Sequence, residues 1–169
     1  MRNFPFEHDG NTYWYSRSLA VCTCVYCKDS EGNWCALINK RGSGAPTSVG
    51  KWCVPSGYLD FDEDLTQCGM RETYEETGVI IPRVLMNFHA INSIPSMSKS
   101  QNVIVIYYAV LPGTIDDYEL TSEHAEKDEV DEIMFIPLSM IFTTDIEFAF
   151  NNDNILLDVY NKHIVNNAK

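Results

Sequence analysis

Positive charge is scarce in this sequence. Twelve Lys and Arg face twenty-four Asp and Glu across 169 residues, a formal net charge of −12. Such a balance repels a polyphosphate backbone, so no nucleic-acid polymer is expected as a partner, and anionic membrane surfaces are disfavoured in the same way. Small phosphorylated ligands stay open if a metal ion supplies the positive charge. Long apolar runs are also missing. The longest, 103–111, falls far short of the ~20 residues that span a bilayer. The opening Met1-Arg2-Asn3-Phe4-Pro5-Phe6-Glu7 lacks the apolar core of a secretory signal, which makes the cytoplasm the expected location. The six cysteines are then not expected to form a disulfide framework.

Several familiar motifs are absent too. Segment 44–51 has five residues between Gly44 and Gly50, and Trp52 follows Lys51, so it is no phosphate loop. Gly42-x-Gly44 lacks the third glycine of a dinucleotide fingerprint. Cys22-x-Cys24-x-x-Cys27 has no second CxxC to complete a zinc set. On a strand Cys22 and Cys24 share one face and Cys27 takes the other, which reads as buried small side chains. His89, His124 and His163 show no ligand spacing.

What is present is an apolar fraction of 45%, enough for one core in a chain of single-domain length. No repeat or linker divides it. Alternating or continuous apolar stretches predict strands over 19–27, 34–39, 52–54, 79–91, 103–110 and 133–137, the first two forming a hairpin across the turn at 29–33. A helix is predicted over 65–77, capped by Asp62 or Asp64 and stopped by Gly78. A second is predicted over 154–165, and 116–132 reads as an acidic loop. Strands interrupted by helices predict an α/β protein, a mixed β-sheet with helices packed on its faces.

The chemistry gathers at 57–79. Glu72, Glu75 and Glu76 stand at i, i+3 and i+4 of the predicted helix, hence on one face. Like charges there cost a few tenths of a kcal/mol per pair. A helix C-terminus adds a further penalty for anions. A cation relieves both, and an all-oxygen set suits Mg²⁺ or Mn²⁺. Arg71 can pair with a carboxylate and fix its rotamer. Glu63 falls at the helix start, where an anion is favoured. Gly57 permits a close backbone approach that turns its carbonyl into another oxygen ligand.

This stretch resembles the Nudix box, G-x5-E-x7-R-E-U-x-E-E-x-G-U with U a bulky aliphatic residue. It carries Gly57, Glu63, Arg71, Glu72, Glu75, Glu76 and Gly78 at the pattern's spacings, with Val79 at the end. Thr73 stands where the pattern has an aliphatic residue, and Ser56 where many members have a glycine. The resemblance implies a Nudix-type α/β/α sandwich, a single Nudix hydrolase domain over 1–169 with 1–12 as an N-terminal extension. It implies Mg²⁺, with Mn²⁺ as a substitute, held by Glu72, Glu75, Glu76 and the Gly57 carbonyl. Arg71 would orient the glutamates, and Glu63 would support the loop and the helix start.

The implied reaction is hydrolysis of a phosphoanhydride in a nucleoside diphosphate linked to another moiety. ADP-ribose or another sugar nucleotide, a (d)NTP and a dinucleoside polyphosphate all fit. The family often draws a base or further metal ligand from a later loop, where Glu126, Glu129 and Glu132 are candidates and Glu129 is favoured. Lys40 and Arg41, with Arg17 behind them, are candidates for substrate phosphate. Specificity is expected in loops 41–51, 92–102 and 112–130, with 93–101 suited to a lid. A homodimer is compatible with the aromatic Tyr13-Trp14-Tyr15. The alternative function is a non-catalytic Nudix-fold module that senses a nucleotide.

Overall fold

The computed structural model describes residues 3–94, 102–143 and 145–165. The lid suggested over 93–101 therefore lies largely outside the described residues. Among the described residues, nine strands and two α-helices follow in order: β1 Phe4–His8, β2 Asn11–Tyr15, β3 Leu19–Lys28, β4 Trp34–Arg41, β5 Trp52–Cys53, β6 Ser56–Tyr58, α1 Leu65–Thr77, β7 Asn87–Asn92, β8 Val103–Thr114, β9 Val130–Pro137 and α2 Asn152–Tyr160.

The main sheet runs β5-β4-β3-β8-β7, with β6 also pairing β3 and β9 also pairing β4. β3 and β8 are parallel, Leu19 opposite Val103. The pairs β3–β4, β3–β6, β4–β5, β4–β9 and β7–β8 are antiparallel. The sheet is mixed, as expected. Strand β3 shows how its two faces are used. Val21 packs with Cys68 of α1 and Val25 with Val79 and Ile81, while Cys22, Cys24 and Tyr26 pack with Leu156 and Val159 of α2. The strand's period of two thus sends alternate residues to opposite helices, giving the α/β/α sandwich. All six cysteines are free and buried within these layers.

Several elements differ from their expected extents, and β8 runs on to Thr114. The strand expected over 79–91 is broken by a 3₁₀ turn at Arg83–Leu85 and resumes only at Asn87. Val79 and Ile81 are buried and Ile80 exposed, so the alternation is real, but Pro82 lacks the N–H a ladder needs. Strand β9 begins earlier, at Val130, because Lys40 of β4 pairs with Glu132 across the ladder. The closing helix starts at Asn152 and gives way to a π-helical turn over Asn161–Val165. The expected N-terminal extension, 1–12, ends inside a hairpin that runs to Tyr15: β1 pairs β2, Phe4 opposite Tyr15 and His8 opposite Asn11.

Candidate active site

Helix α1 is fixed at both ends by its own sequence. The Asp64 side chain accepts from the amides of Thr66 and Gln67, both at 2.9 Å, and Gln67 accepts from the Asp64 amide at 2.8 Å. Gly78 closes the helix at φ 76, a left-handed position natural to glycine, and its N–H donates to the Tyr74 carbonyl. Thr73, which departs from the box pattern, is fully buried and donates its hydroxyl to the Gly69 carbonyl at 2.7 Å. Its polar atom is thereby satisfied within the helix.

The three box glutamates then meet different surroundings. Glu76 is 2% exposed, and one carboxylate oxygen accepts the Ser56 amide at 3.0 Å. Burial, with Glu72 next, pushes its carboxyl well above the usual range. The Glu72 carboxylate rests directly on Gly57: a Cβ at position 57 would coincide with its oxygens. Strand β6 brings Gly57 there by pairing with Val21 of β3. Burial raises the Glu72 carboxyl to about 7, against the pull of Arg71. Glu75 is the more open of the three and accepts from Arg71 Nη1 at 3.0 Å.

Arg71 spans this cluster. Its Nε and Nη2 donate to the two oxygens of Glu63 at 3.0 and 2.7 Å, Nη1 donates to Glu72 at 2.7 Å, and Nη2 reaches the Tyr58 carbonyl at 3.0 Å. The Arg71 bond holds the Glu63 carboxyl below its ordinary value. Glu63 in turn accepts the Asp60 amide at 2.9 Å, closing the loop before the helix.

Of the three later candidates, Glu129 enters the field of the box. Burial and then Glu126 raise its carboxyl, with Arg41 opposing, and its charge acts on Glu72 and Glu76. Glu132 is instead paired with Lys40 at 2.5 Å on the exposed side of β9. Gly42 and Gly44 explain how the acidic loop comes so near. Their amides donate to the carbonyls of Glu129 and Asp128, each at 2.7 Å, and no side chain fits at either glycine. At its other end the loop is tied to α1: the Thr121 amide donates to the Thr77 carbonyl at 3.0 Å, and the Tyr74 hydroxyl lies 3.0 Å from His124 Nε2.

The basic candidates are scattered. Lys40 faces Glu132. Arg41 is buried, donates to the Thr47 carbonyl at 2.8 Å, lies over the Phe150 ring at 5.2 Å, and its charge opposes the rise in proton affinity of Glu76 and Glu129. Arg17 donates to the carbonyls of Ser93 and Asn102, both at 2.7 Å.

Among the described residues no three Asp, Glu, His or Cys side chains converge as they stand on a common metal position. The donors nevertheless fit a hard cation: carboxylates whose proton affinity burial and neighbouring glutamates raise, against a glycine with no room for a side chain. A family model described as NUDIX domain matches residues 17–159. The chain belongs to the NUDIX family.

The NUDIX fold is shared with solved structures of low identity. The NUDIX domain of Shewanella oneidensis NrtR, complexed with ADP ribose, superposes with a TM-score of 0.71 at 20% identity, over 88% of this chain and 89% of that one. A MutT/nudix family protein from Enterococcus faecalis gives 0.69 at 21% identity, over 89% and 63%. A bifunctional NMN adenylyltransferase/ADP ribose pyrophosphatase from Francisella tularensis, complexed with AMP and a Mn ion, gives 0.70 at 19% identity, over 86% and 42%. The chain spans less than two thirds of the last two.

One residue of this NUDIX site carried no sequence signal. Asn152, 4% exposed at the start of α2, accepts the Val54 amide at 2.8 Å and so holds the segment that leads to Ser56 and Gly57. It lies 98 residues from its partner, where local pattern says nothing.

Proposed function

We propose that this NUDIX chain is a Mg²⁺-dependent hydrolase that cleaves a phosphoanhydride in a nucleoside diphosphate linked to another moiety, with Mn²⁺ able to replace Mg²⁺. The observation that carries it is the pair of buried carboxylates, Glu72 and Glu76, whose proton affinity burial and neighbouring glutamates raise, with Glu72 seated on Gly57. Glu72, Glu75, Glu76 and the Gly57 carbonyl would hold the metal. When bound, it supplies charge neutralisation for substrate phosphates and activation of water.

The chain's own residues set the rest. Arg71 keeps Glu63 in place and competes with a cation for Glu72 and Glu75. Glu129, raised by burial, is the candidate base. Lys40, Arg41 and Arg17 remain our candidates for substrate phosphate. The ADP ribose bound to the NrtR domain supports an ADP-ribose-like substrate. The net charge of −12 argues against a nucleic-acid polymer. The cytoplasm is the proposed setting, supported by six free thiols. Among the described residues no helix is long and apolar enough to cross a membrane.

A panel of ADP-ribose, other sugar nucleotides, (d)NTPs and dinucleoside polyphosphates, incubated with Mg²⁺ and read by mass, tests this reading. The expected result is a nucleoside monophosphate or phosphate product that vanishes with chelator. A second reading, a nucleotide sensor, draws on Arg71's hold on Glu72 and Glu75. Tight nucleotide binding without turnover across the panel would favour it.

A further inference from the structure

His124 belongs to no motif of the box, yet its ring lies against α1. It stacks on Tyr74 with centroids 4.5 Å apart and 20° between the planes, and its Nε2 stands 3.0 Å from the Tyr74 hydroxyl. Tyr74 falls between Glu72 and Glu75 on the helix that carries the box carboxylates. Tyr74 and the His124 side chain are each 36% exposed, so most of the pair is covered.

The stack joins two acidic elements. Segment 116–132 carries nine Asp and Glu against one Lys, and α1 carries Glu72, Glu75 and Glu76. Like charge drives the two apart: Glu75 raises the proton affinity of Glu129, and Glu129 raises that of Glu72 and Glu76. Arg71 already binds Glu63, Glu72 and Glu75. A pair of stacked rings holds without opposite charge, because dispersion and the ring quadrupoles supply its attraction.

The position of the pair along the chain matters as well. The segment is tied to α1 at Thr121, whose amide donates to the Thr77 carbonyl at 3.0 Å, eight residues before Glu129. The His124 stack shortens that stretch to five residues, which cuts the reach of extended chain from about 28 Å to about 18 Å. At the far end the Gly42 and Gly44 amides hold the carbonyls of Glu129 and Asp128. The Glu129 N–H is bonded instead to the Glu126 carbonyl at 3.1 Å, and Asp128 between them takes φ 59. The turn 126–129 therefore sets the direction in which the Glu129 side chain leaves the backbone, and that turn follows directly on His124. We propose that Tyr74 and His124 are positioning residues: their stack latches the acidic segment to α1 and so sets where the Glu129 carboxylate stands beside Glu72 and Glu76. This role rests on Glu129 being the base of the hydrolysis proposed above.

The test uses the full chain with Mg²⁺ and a substrate from the panel. His124→Ala and Tyr74→Ala should each lower kcat by about ten- to hundredfold with KM within about threefold, since a displaced base loses part of the ~10²–10⁴ it supplies. His124→Phe and Tyr74→Phe keep two stacked rings and should recover most of the loss. In a Glu129→Gln background His124→Ala should cost no more than about twofold, because its effect runs through Glu129. Hydrogen exchange over 122–129 in metal-free protein reads the latch without turnover: it should quicken in His124→Ala and return to the parental rate in His124→Phe. Parental kcat in both alanine variants overturns the proposal. So does a loss that persists undiminished in the Glu129→Gln background, which gives the stack another role. Parental turnover in Glu129→Gln itself unseats Glu129 and the role assigned to the stack with it. A parent inactive on every substrate overturns the hydrolase reading instead. The latch is then decided by exchange alone, and an unchanged rate in His124→Ala overturns it.

Discussion

The Glu72 carboxylate is seated directly against Gly57. The first side-chain atom of any other residue at 57 would stand 2.1–2.3 Å from that carboxylate, too close for both to keep their places. Gly57→Ala should therefore displace Glu72, costing about 1–3 kcal/mol of stability. It should also lower Mn²⁺ affinity at least tenfold. Calorimetry and metal titration read both effects. In a Glu72→Ala background the stability cost should shrink, because the atoms that clash are gone. An equal cost in both backgrounds would place the strain in the backbone.

Glu76→Gln separates folding from function. It removes a buried negative charge that burial and two neighbouring glutamates oppose. The metal-free variant should melt a few degrees higher than the parent at pH 8, while turnover falls by two or more orders of magnitude. A variant with parental turnover would remove Glu76 from the chemistry.

Glu129→Gln and Glu132→Gln form a matched pair on one segment. Glu129 acts on the box carboxylates, whereas Glu132 answers Lys40 on the outside. Loss of a general base typically costs ~10²–10⁴ in rate. The first variant should show such a loss in kcat, and the second should stay within about threefold of the parent, as expected for an exposed ion pair. Equal rates in both would assign the base elsewhere.

Stability should depend on pH through two groups of opposite sign. Glu72 is raised from 4.5 to about 7, so its folded form holds a proton more tightly than its unfolded form. That contribution, up to about 3 kcal/mol, is present below the unfolded value and lost as pH rises through about 7. His89 has the opposite sign. Burial depresses it while its Nδ1 lies 2.8 Å from His163 Nε2 and its Nε2 lies 3.1 Å from Asp158. Its contribution is present above the unfolded value of about 6.5 and lost as pH falls. In metal-free protein Glu72 should lower the melting temperature as pH rises towards about 7, and His89 should lower it as pH falls below about 6.5. Divalent cation should remove the Glu72 loss alone, by occupying the carboxylates. His89→Gln should remove the His89 loss alone.

Much of the site was legible because its signals are local. Helix α1 has the expected bounds, Leu65–Thr77, since Asp64, Gln67 and Gly78 act within a few residues of the ends they close. The three-glutamate face follows from helical spacing. The strand expected over 79–91 failed for an equally local reason that apolar pattern hides, the missing N–H of Pro82. Glu129 is already favoured in the sequence; the contacts of Gly42 and Gly44 with the carbonyls of Glu129 and Asp128, which bring its segment towards the box, are not legible there. The packing of Arg41, a candidate for substrate phosphate in the sequence, against Phe150 over a hundred residues away has no local signal.

The sequence by itself determined the helix, the order of its carboxylates and the family to which they belong, because each is written in spacing along one segment. Only the tertiary structure decided how charged those carboxylates can be. Burial of Glu76, the seat of Glu72 on Gly57 and the nearness of Glu129 arise when β6 pairs with β3 and the acidic loop folds onto β4. Proton affinity in a protein follows desolvation and neighbouring charge, and both depend on distances that no linear spacing contains.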